Sequence, residues 1–272
     1  MNEQRLILEF LDRETARIDK LIAEKQTFIK LLKEKRQALI SHVVTKGLNP
    51  NVKMKDSGIE WIGEVPEHWE QTKLRYLGQC QNGINIGGEY FGTGFPFVSY
   101  SDVYKNRVLP SKVSGLVQSS DTDQKHYSVH AGDIFFTRTS ETIEEIGFSS
   151  VCKNSMEEAV FAGFLIRFRP SQDRLHTDYS EYYFQNEKLR AFFVKEMNIV
   201  TRASLSQELL KRMPVFIPPI DEQIKITDFL EIKVGRIRSL IAETEQSINL
   251  LKEHRTSVIS AAVTGKIDVR NH

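Results

Sequence analysis

The chain has only two cysteines, Cys80 and Cys152, among its 272 residues. Two thiols do not make a disulfide framework, so we expect free cysteines in a reducing cytoplasm, with a pairing between them as the less favoured alternative. No apolar run approaches the roughly 18 to 20 residues that a membrane span requires. The first residues, MNEQRLILEF, also lack the basic-then-apolar pattern of a secretion signal. These absences favour an ordinary cytoplasmic protein.

The sequence also lacks the motifs of a self-contained active site. The glycines of NGINIGGEYFGTG do not have the spacing of a phosphate-binding loop, and no HExxH or CxxC pattern suggests a metal. The segment IPPI at 217–220 has the prolines of an amino-methyltransferase motif but not its acid, amide or aromatic residue. His126 and His130 lie four apart in a strand-like run, which favours a structural or surface role. We therefore predict no catalytic residue, no cofactor and no metal.

Charge of either sign gives no strong signal. The chain has 37 Lys and Arg against 36 Asp and Glu, for a net charge of +1. A basic face can be present within a neutral total, so this balance neither supports nor excludes nucleic-acid binding.

A repeated helical segment is the most informative feature that is present. Residues 2–45 align without a gap on residues 221–264, and 21 of the 44 positions are identical. The intervening segment is unrelated to both copies, which excludes a solenoid of stacked repeats. The sequence therefore predicts two equivalent helical arms, 1–48 and 219–272, on either side of one domain at 49–218.

Both arms have apolar residues at alternating spacings of three and four, which indicates a coiled coil. In the first arm these positions run from Ile18 to Val43, and in the second from Ile237 to Ala262. We expect a helix from about Arg5 to Val44, roughly 60 Å long, and antiparallel pairing of the two arms. Leu21, Leu31, Leu240 and Leu250 widen the apolar face, which suits a helix with more than one partner.

Polar residues interrupt the coiled-coil seam at matching places, Lys25 and Thr244, and Arg36 and Arg255. Such residues either fix register and partner choice or extend out of the seam towards water. Glycines near the arm ends, Gly47 and Gly265, suit helix C-terminal caps.

The central segment is predicted to form a domain that contains both strands and helices. Short β-like runs, FPFVSYSDV, KHYSVHAGDIFFTRT, IGFSSVCKN and EAVFAGFLIRFRP, are bounded by Gly, Asn or Asp. A helix is predicted from about Ser180 to Met197, and a shorter one from Ser206 to Arg212. Trp61 and Trp69 are interpreted as core residues rather than a platform for stacking bases. The predicted fold class is α+β, one mixed α/β domain flanked by two long homologous helices that form an antiparallel coiled coil.

In this order, the segments resemble the specificity (S) subunit of type I restriction–modification enzymes. IEWIGEVPEHWEQTKLRYLG is similar to the entry into a target recognition domain, and HAGDIFFTRTSETIEEIGFSS to its central element. RASLSQELLKRMPVFIPPIDEQIKITDFL is similar to the exit into a conserved helix, and AAVTGKIDVR to the family's ending. The resemblance implies a non-catalytic subunit that binds double-stranded DNA and docks methylation (M) subunits and, through them, restriction (R) subunits.

The chain departs from the family pattern in having one recognition domain where members usually have two. It resembles the C-terminal half of a specificity subunit, as a natural half-subunit or a fragment. We expect two copies to form a homodimer through their arms, and such a symmetric pair would read an interrupted palindrome.

Candidate DNA-binding residues are polar side chains on loops of the central domain, because base edges are read by such groups. The first cluster follows the apolar run that ends at Phe136, the second follows FPFV, the third precedes the Ser206 helix, and the fourth lies at the start of the glycine-rich segment. An ordinary polar turn is the alternative for each. In chain order within these clusters the residues are Thr137, Arg138, Thr139 and Ser140; Tyr100, Ser101, Asp102, Lys105, Asn106 and Arg107; Thr201, Arg202 and Ser204; and Gln81, Asn82 and Asn85.

Two other classes of protein compete with this interpretation. A coiled-coil scaffold without DNA specificity would fit the arms and the near-neutral charge. An enzyme acting alone is disfavoured by the missing cofactor and metal motifs.

Overall fold

The computed structural model describes residues 2–140, 146–171, 174–196 and 203–268. The chain divides into two compact units. We call Leu39–Phe229 the central unit, and Met1–Ala38 together with Leu230–His272 the coiled-coil unit. Within the described ranges, no helix combines the length and the apolar content needed to cross a bilayer.

The coiled-coil unit is built from two long helices, α1 (Asn2–Lys46) and α7 (Ile220–Val263). Early residues of α1 pack against late residues of α7, and later residues of α1 against early ones of α7, so the helices are antiparallel. The buried contacts form two clusters, Phe10 with Val258 and Ala262, and Ile29 and Leu32 with Ile237, Ile241 and Ile248. The predicted fold class is confirmed, and α1 extends slightly beyond the expected limits at both ends.

The polar seam positions behave differently from one another. Arg255 donates from Nε to Asp19 Oδ1 at 2.9 Å and from Nη2 to Oδ2 at 3.1 Å, so it joins α7 to α1. Thr244 donates instead to the Leu240 carbonyl of its own helix at 2.6 Å. An exposed ion pair of this kind contributes about 0–1 kcal/mol to stability, so the Arg255 contact supports register more than stability.

The end of α1 has the predicted glycine cap. Gly47 has a φ of +74°, and its N–H donates to the Val43 carbonyl at 3.0 Å. A Cβ added at Gly47 would lie 3.0 Å from Glu222 Oε1 and 3.4 Å from the Trp69 ring. Both the left-handed backbone and this close approach require glycine.

The described residues of the central unit form two sheets and three short strand pairs. The first sheet is antiparallel in the order β4-β11-β7-β9, from β4 (Gly78–Asn82), β7 (Ile134–Thr137), β9 (Ser149–Val151) and β11 (Leu165–Pro170). The second has the order β10-β5-β6, from β5 (Phe91–Val98), β6 (Gly115–Val117) and β10 (Val160–Phe161), with β10 parallel to β5. The pairs are β1 (Met54–Asp56) with β2 (Glu64–Pro66), β3 (Glu70–Lys73) with β13 (Pro214–Ile217), and β8 (Thr139–Ser140) with β12 (Ala203–Ser204).

Short helices connect these strands. They are α2 (Tyr100–Lys105), α3 (Asp121–His126), α4 (Thr177–Tyr183), α5 (Glu187–Glu196) and α6 (Gln207–Arg212). Ser206 caps α6 by accepting a hydrogen bond from the Leu209 N–H at 3.0 Å, which confirms the predicted short helix.

Strand β7 lies at the centre of the core because both of its faces are covered. Phe135 meets Phe161 edge to face at a centroid distance of 5.2 Å. Phe136 points to the other face of the sheet and meets Phe184 at 5.5 Å. Side chains alternate between the faces of a strand, so a strand covered on both sides is apolar throughout.

Two of the predicted β-like runs contain helices. In FPFVSYSDV the strand ends at Val98, because Ser99 and Asp102 form a capping box that starts α2. Ser120 and Asp123 start α3 in the same way, and His126 is its last residue. The expectation that His126 and His130 share one face of a strand is therefore wrong.

The helix predicted from Ser180 to Met197 is two helices, α4 and α5. Buried Asn186 lies at the break, where its Oδ1 accepts from the Lys188 N–H at 3.0 Å and from Ser41 Oγ at 2.8 Å. An amide that caps one helix and bonds to another fixes the change of direction. Met197 itself lies outside the described residues.

Buried Gln223, near the start of α7, is bonded to other residues of the central unit. Its Nε2 donates to the Arg174 carbonyl at 2.8 Å and to the Pro218 carbonyl at 2.9 Å. Its Oε1 accepts from the His176 N–H at 2.8 Å. Beside it, Trp69 is buried and donates from Nε1 to Glu222 at 3.2 Å, as expected for a core residue.

Both cysteines are free, as predicted. Burial raises the pKa of the Cys80 thiol and of the Cys152 thiol to about 12. The thiol form therefore predominates at neutral pH, which makes both residues poor nucleophiles.

Candidate nucleic-acid interface

Thr137 anchors the first predicted cluster rather than facing solvent. It is fully buried at the end of β7. Its N–H donates to the Phe148 carbonyl at 2.9 Å, and its Oγ1 accepts from the Phe148 N–H at 3.0 Å. These bonds hold together the two ends of the segment that begins at Arg138.

Arg138 follows Thr137 and is half-buried. It packs against a tight turn formed by Ala162–Leu165. Its backbone N–H donates to the Phe164 carbonyl at 2.9 Å, and its Nη1 contacts the Gly163 carbonyl at 3.4 Å. Its other guanidinium N–H groups have no partner among the residues that the structure describes. The side chain is thus oriented by the protein and still has donors available to a ligand.

Strand pairing brings the first and third predicted clusters together. Thr139 lies opposite Ser204, and Ser140 opposite Ala203, in an antiparallel pair. The Leu205 N–H also donates to the Arg138 carbonyl at 2.7 Å. The hydroxyl-bearing residues of two distant segments are therefore neighbours of Arg138. Thr201 and Arg202, from the third cluster, lie outside the described residues.

Asn85, from the fourth cluster, lies against the same Ala162–Leu165 turn. The Ile84 N–H donates to the Phe161 carbonyl at 2.9 Å, and the Gly163 N–H donates to the Ile84 carbonyl at 2.8 Å. A Cβ added at Gly163 would lie 2.0 Å from Asn85 Oδ1, so glycine lets the Asn85 side chain approach the turn this closely. The exposed Asn85 side chain has no hydrogen bond in the described part of the chain.

The other two residues of the fourth cluster belong to the sheet. Asn82 is a half-buried residue of β4 that lies opposite Ile166 in β11. Gln81 accepts a hydrogen bond from Arg167 Nη2 and donates to the His126 carbonyl at 3.1 Å. The Gln81 amide is therefore used within the protein.

Arg167 is a buried cation of β11 that was not among the predicted residues. Burial, with the nearby charge of Arg169, lowers its pKa to about 10, against the opposing effect of Asp133. Its guanidinium lies 5.2 Å from the Phe161 ring centroid and donates to the Ser128 carbonyl. The alternation in LIRFRP, with two arginines on one face of an otherwise apolar strand, could have revealed it.

The second predicted cluster forms α2 and the residues after it, and half of its side chains are used internally. Asp102 accepts from the Ser99 N–H at 2.8 Å, and Asn106 donates to the Asp102 carbonyl at 2.8 Å. Arg107 donates to Glu181 at 2.6 Å and lies over Tyr182. Ser101 and Lys105 are exposed, whereas Tyr100 is half-buried.

The Arg107 contact belongs to a network around the buried carboxylate of Glu181. Lys153 donates to Glu181 Oε2 at 2.9 Å and to Asp178 at 2.7 Å. Burial lowers the pKa of Lys153, but the bonds to Asp178 and Glu181 outweigh this and raise the pKa above its usual value. Lys153 therefore stays charged at neutral pH, and the network fixes the segment after α2 to α4.

An open cavity of about 530 Å³ lies beside the Ala162–Leu165 turn. Its walls are mostly aromatic and aliphatic, with Asn85, Ser99 and Tyr100 as polar members; the others are Ile84, Ile86, Phe91, Phe97, Ala162, Gly163 and Phe164. Across the described ranges, no group of three or more His, Cys, Asp or Glu is placed to hold a metal ion. The region offers hydrogen-bond donors and apolar rings, which suit recognition by contact.

Comparison with known proteins gives one consistent family. Residues 66–250 match the model of the type I restriction modification DNA specificity domain. The chain is 24% identical over 273 aligned residues to the Type I restriction enzyme EcoKI specificity subunit of Escherichia coli K12, covering 97% of this chain and 56% of that protein. It is 21% identical to the MjaVIII specificity subunit of Methanocaldococcus jannaschii, covering 100% of this chain and 61% of that protein.

Solved structures show the same fold. A chain from a type I R-M system whose assembly and conformational transition were studied superposes with a TM-score of 0.73 at 16% identity, covering 96% of this chain and 58% of that chain. The HsdS subunit from Thermoanaerobacter tengcongensis gives a TM-score of 0.56 at 16% identity, covering 98% and 59%. The chain thus spans a little over half the length of these relatives. It belongs to the family of type I restriction–modification DNA specificity domains.

Proposed function

We propose that this chain is a non-catalytic DNA sequence-recognition subunit of a type I restriction–modification enzyme, which reads one half of a bipartite site. The observation that carries the proposal is that Arg138 and Asn85 both lie against the Ala162–Leu165 turn, with the β8–β12 pair next to Arg138. These residues come from three separate segments of the sequence, and backbone hydrogen bonds of Arg138, Ile84 and Leu205 hold the segments together.

The chemistry of this group suits base readout in the major groove. An arginine can bond to guanine O6 and N7, and an asparagine to adenine N6 and N7. Hydroxyls such as that of Thr139 can bond to bases or phosphates. Exposed Lys105 on α2 is placed in this proposal on the phosphate backbone, where a cation adds affinity without specificity.

The helices supply the docking surface for methylation subunits in this proposal. Leu21, Leu31, Leu240 and Leu250 are exposed on the coiled-coil unit, although each is large and apolar. Their repeat-related positions would offer equivalent sites to two identical partners. The same leucines would also suit a plain scaffold, and salt-dependent, sequence-specific DNA binding separates the two functions.

The repeat supports pairing with a second copy. At the end where α1 and α7 join the central unit, Val44 is 0% exposed and Thr227 is 4% exposed. Their repeat equivalents at the other end are Val263, which is 66% exposed, and Leu8, which is 61% exposed. We call residues 4–11 and 258–267 the open end. Homologous positions are buried at one end and uncovered at the other, so the open end suits a further protein surface.

Replacing Leu8 and Val263 together by Asp is expected to convert a homodimer into a monomer. The two carboxylates would have to be buried without partners when a second copy covers the open end. Sedimentation velocity measures the mass, and Ile232→Asp is the matched control, because Ile232 is equally exposed on α7 outside this end. A wild-type chain that is a stable monomer at micromolar concentration would contradict homodimer pairing.

A methylome tests the function as a whole. The chain is expressed with its neighbouring methylation subunit in a host without DNA methylation, and modified adenines are mapped by long-read sequencing. We expect a bipartite palindrome, because a two-fold pair reads the same half-site twice. An asymmetric bipartite motif would show that a different recognition domain supplies the second half. No modification by a soluble complex would contradict the proposed function.

A further inference from the structure

Phe164 is an exposed aromatic residue on a rigid turn. Its side chain is 62% exposed, although the residue lies between the buried strands β10 and β11. The Leu165 N–H donates to the Ala162 carbonyl at 2.9 Å and closes the turn. The Arg138 N–H donates a hydrogen bond to the Phe164 carbonyl. The backbone therefore fixes an apolar ring in water, which has no benefit for folding.

The ring belongs to a larger apolar rim. Phe164 and exposed Phe91 both line the open cavity, and Phe91 is supported by an edge-to-face contact with Phe97 at 5.1 Å. Tyr100 lines the same cavity and stacks on Tyr104 at 5.8 Å. Aromatic contacts of this kind hold the rim in place before a ligand binds.

The polar neighbours of the rim indicate what covers it. Arg138 bonds to the turn that carries Phe164, and the Asn85 amide lies against Gly163. An apolar protein surface placed on the rim would bury the open donors of Arg138 and the Asn85 amide without partners, which is costly. A DNA base pair presents hydrogen-bonding groups to such residues, and a thymine adds a methyl group beside them.

We propose that Phe164 contacts the C5-methyl group of a thymine next to the base that Arg138 reads. This inference rests on the proposed DNA-reading function and adds a specificity residue to it. Thymine is the only unmodified base with a methyl group in the major groove, so an apolar contact there distinguishes it from the other bases. Phe164 would then select T at one position of the half-site.

The test removes the methyl group from the DNA. The chain, in complex with its methylation subunit, selects sites from two random duplex libraries, one made with thymidine and one with deoxyuridine. For the wild type we expect one T position whose preference falls about fourfold in the deoxyuridine library, the effect of about one buried methylene-sized group. A motif that is identical in both libraries would overturn the role of Phe164.

Phe164→Ala assigns the effect to this ring. The variant should select the same motif with both libraries, relaxed at the one T position and unchanged elsewhere. Tyr76→Ala is the matched control, because Tyr76 is an aromatic residue of the same unit that is 65% exposed and lies outside the cavity lining. It should keep the wild-type difference between the libraries. If Phe164→Ala kept that difference, the inference would be wrong, whereas the absence of any enriched motif would overturn the proposed DNA-reading function itself.

Discussion

Gln223→Ala is expected to destabilise the central unit by about 3–5 kcal/mol, because this fully buried side chain makes three hydrogen bonds to backbone groups and all three are lost at once. The Arg174 and Pro218 carbonyls and the His176 N–H would be left without this partner. Both tryptophans of the chain, Trp61 and Trp69, lie in the central unit. Urea unfolding followed by tryptophan fluorescence therefore measures the free energy of unfolding of this unit.

The repeat supplies a matched control for this substitution. Gln4 is the same residue at the equivalent position of the first arm, and it is exposed. Gln4→Ala should change the free energy of unfolding by less than about 0.5 kcal/mol, as is usual for surface substitutions. Equal effects of the two variants would show that the buried hydrogen bonds of Gln223 do not set the stability of the unit.

Arg138→Ala is expected to weaken binding to the specific site by about 1–3 kcal/mol, or roughly 5- to 150-fold, and to relax the preference at one base pair. The physical reason is that Arg138 is held by the Gly163 carbonyl with other donors still open, so no reorganisation is needed when a base edge arrives. Fluorescence anisotropy with the mapped site and with single-base variants of it measures both effects.

Lys105→Ala provides the contrast. Lys105 is exposed on α2, and in our proposal it contacts only phosphate. Its removal should weaken binding to all sequences alike and reduce the salt dependence by about one phosphate contact. Unchanged site-specific binding by Arg138→Ala would remove Arg138 from the readout.

The long helices could be predicted from the sequence because their signal is repeated. The seam residues around Ile29 and Ile241 recur at the same spacing in both arms, so each copy supports the interpretation of the other. The antiparallel pairing also follows from the chain, since one domain joins the end of the first helix to the start of the second.

The short elements of the central unit were harder to predict, because several local signals compete there. The capping box at Ser99 starts a six-residue helix inside a run of β-like composition, and the six-residue helix that starts after Ser120 extends two residues into another such run. Such serine-to-aspartate spacings can be read from a sequence. A six-residue helix gives too few periods for its apolar pattern to exceed that of the strand before it.

The arrangement of the candidate site could not be predicted from local sequence patterns either, because it depends on tertiary contacts. Arg138 was predicted as a polar residue after an apolar run, Ser204 as one before a short helix, and Asn85 as one in the glycine-rich segment. Their common location depends on contacts between segments far apart in sequence, such as the Ile84–Ala162 bridge. The internal roles of Gln81 and Arg107 depend on buried partners, Arg167 and Glu181, that no local pattern identifies. Candidate residues could therefore be proposed from the sequence. Whether each side chain is free to contact DNA or is used within the protein could not.

The pairing of β8 with β12 has a consequence for changing the specificity of this chain. The segment after Thr137 and the segment before Leu205 share two residue pairs and the bond from the Leu205 N–H to the Arg138 carbonyl. An exchange of one segment alone would pair the other with a segment whose backbone path has not been matched to it. A variant with a new specificity should therefore carry both segments from the same donor protein.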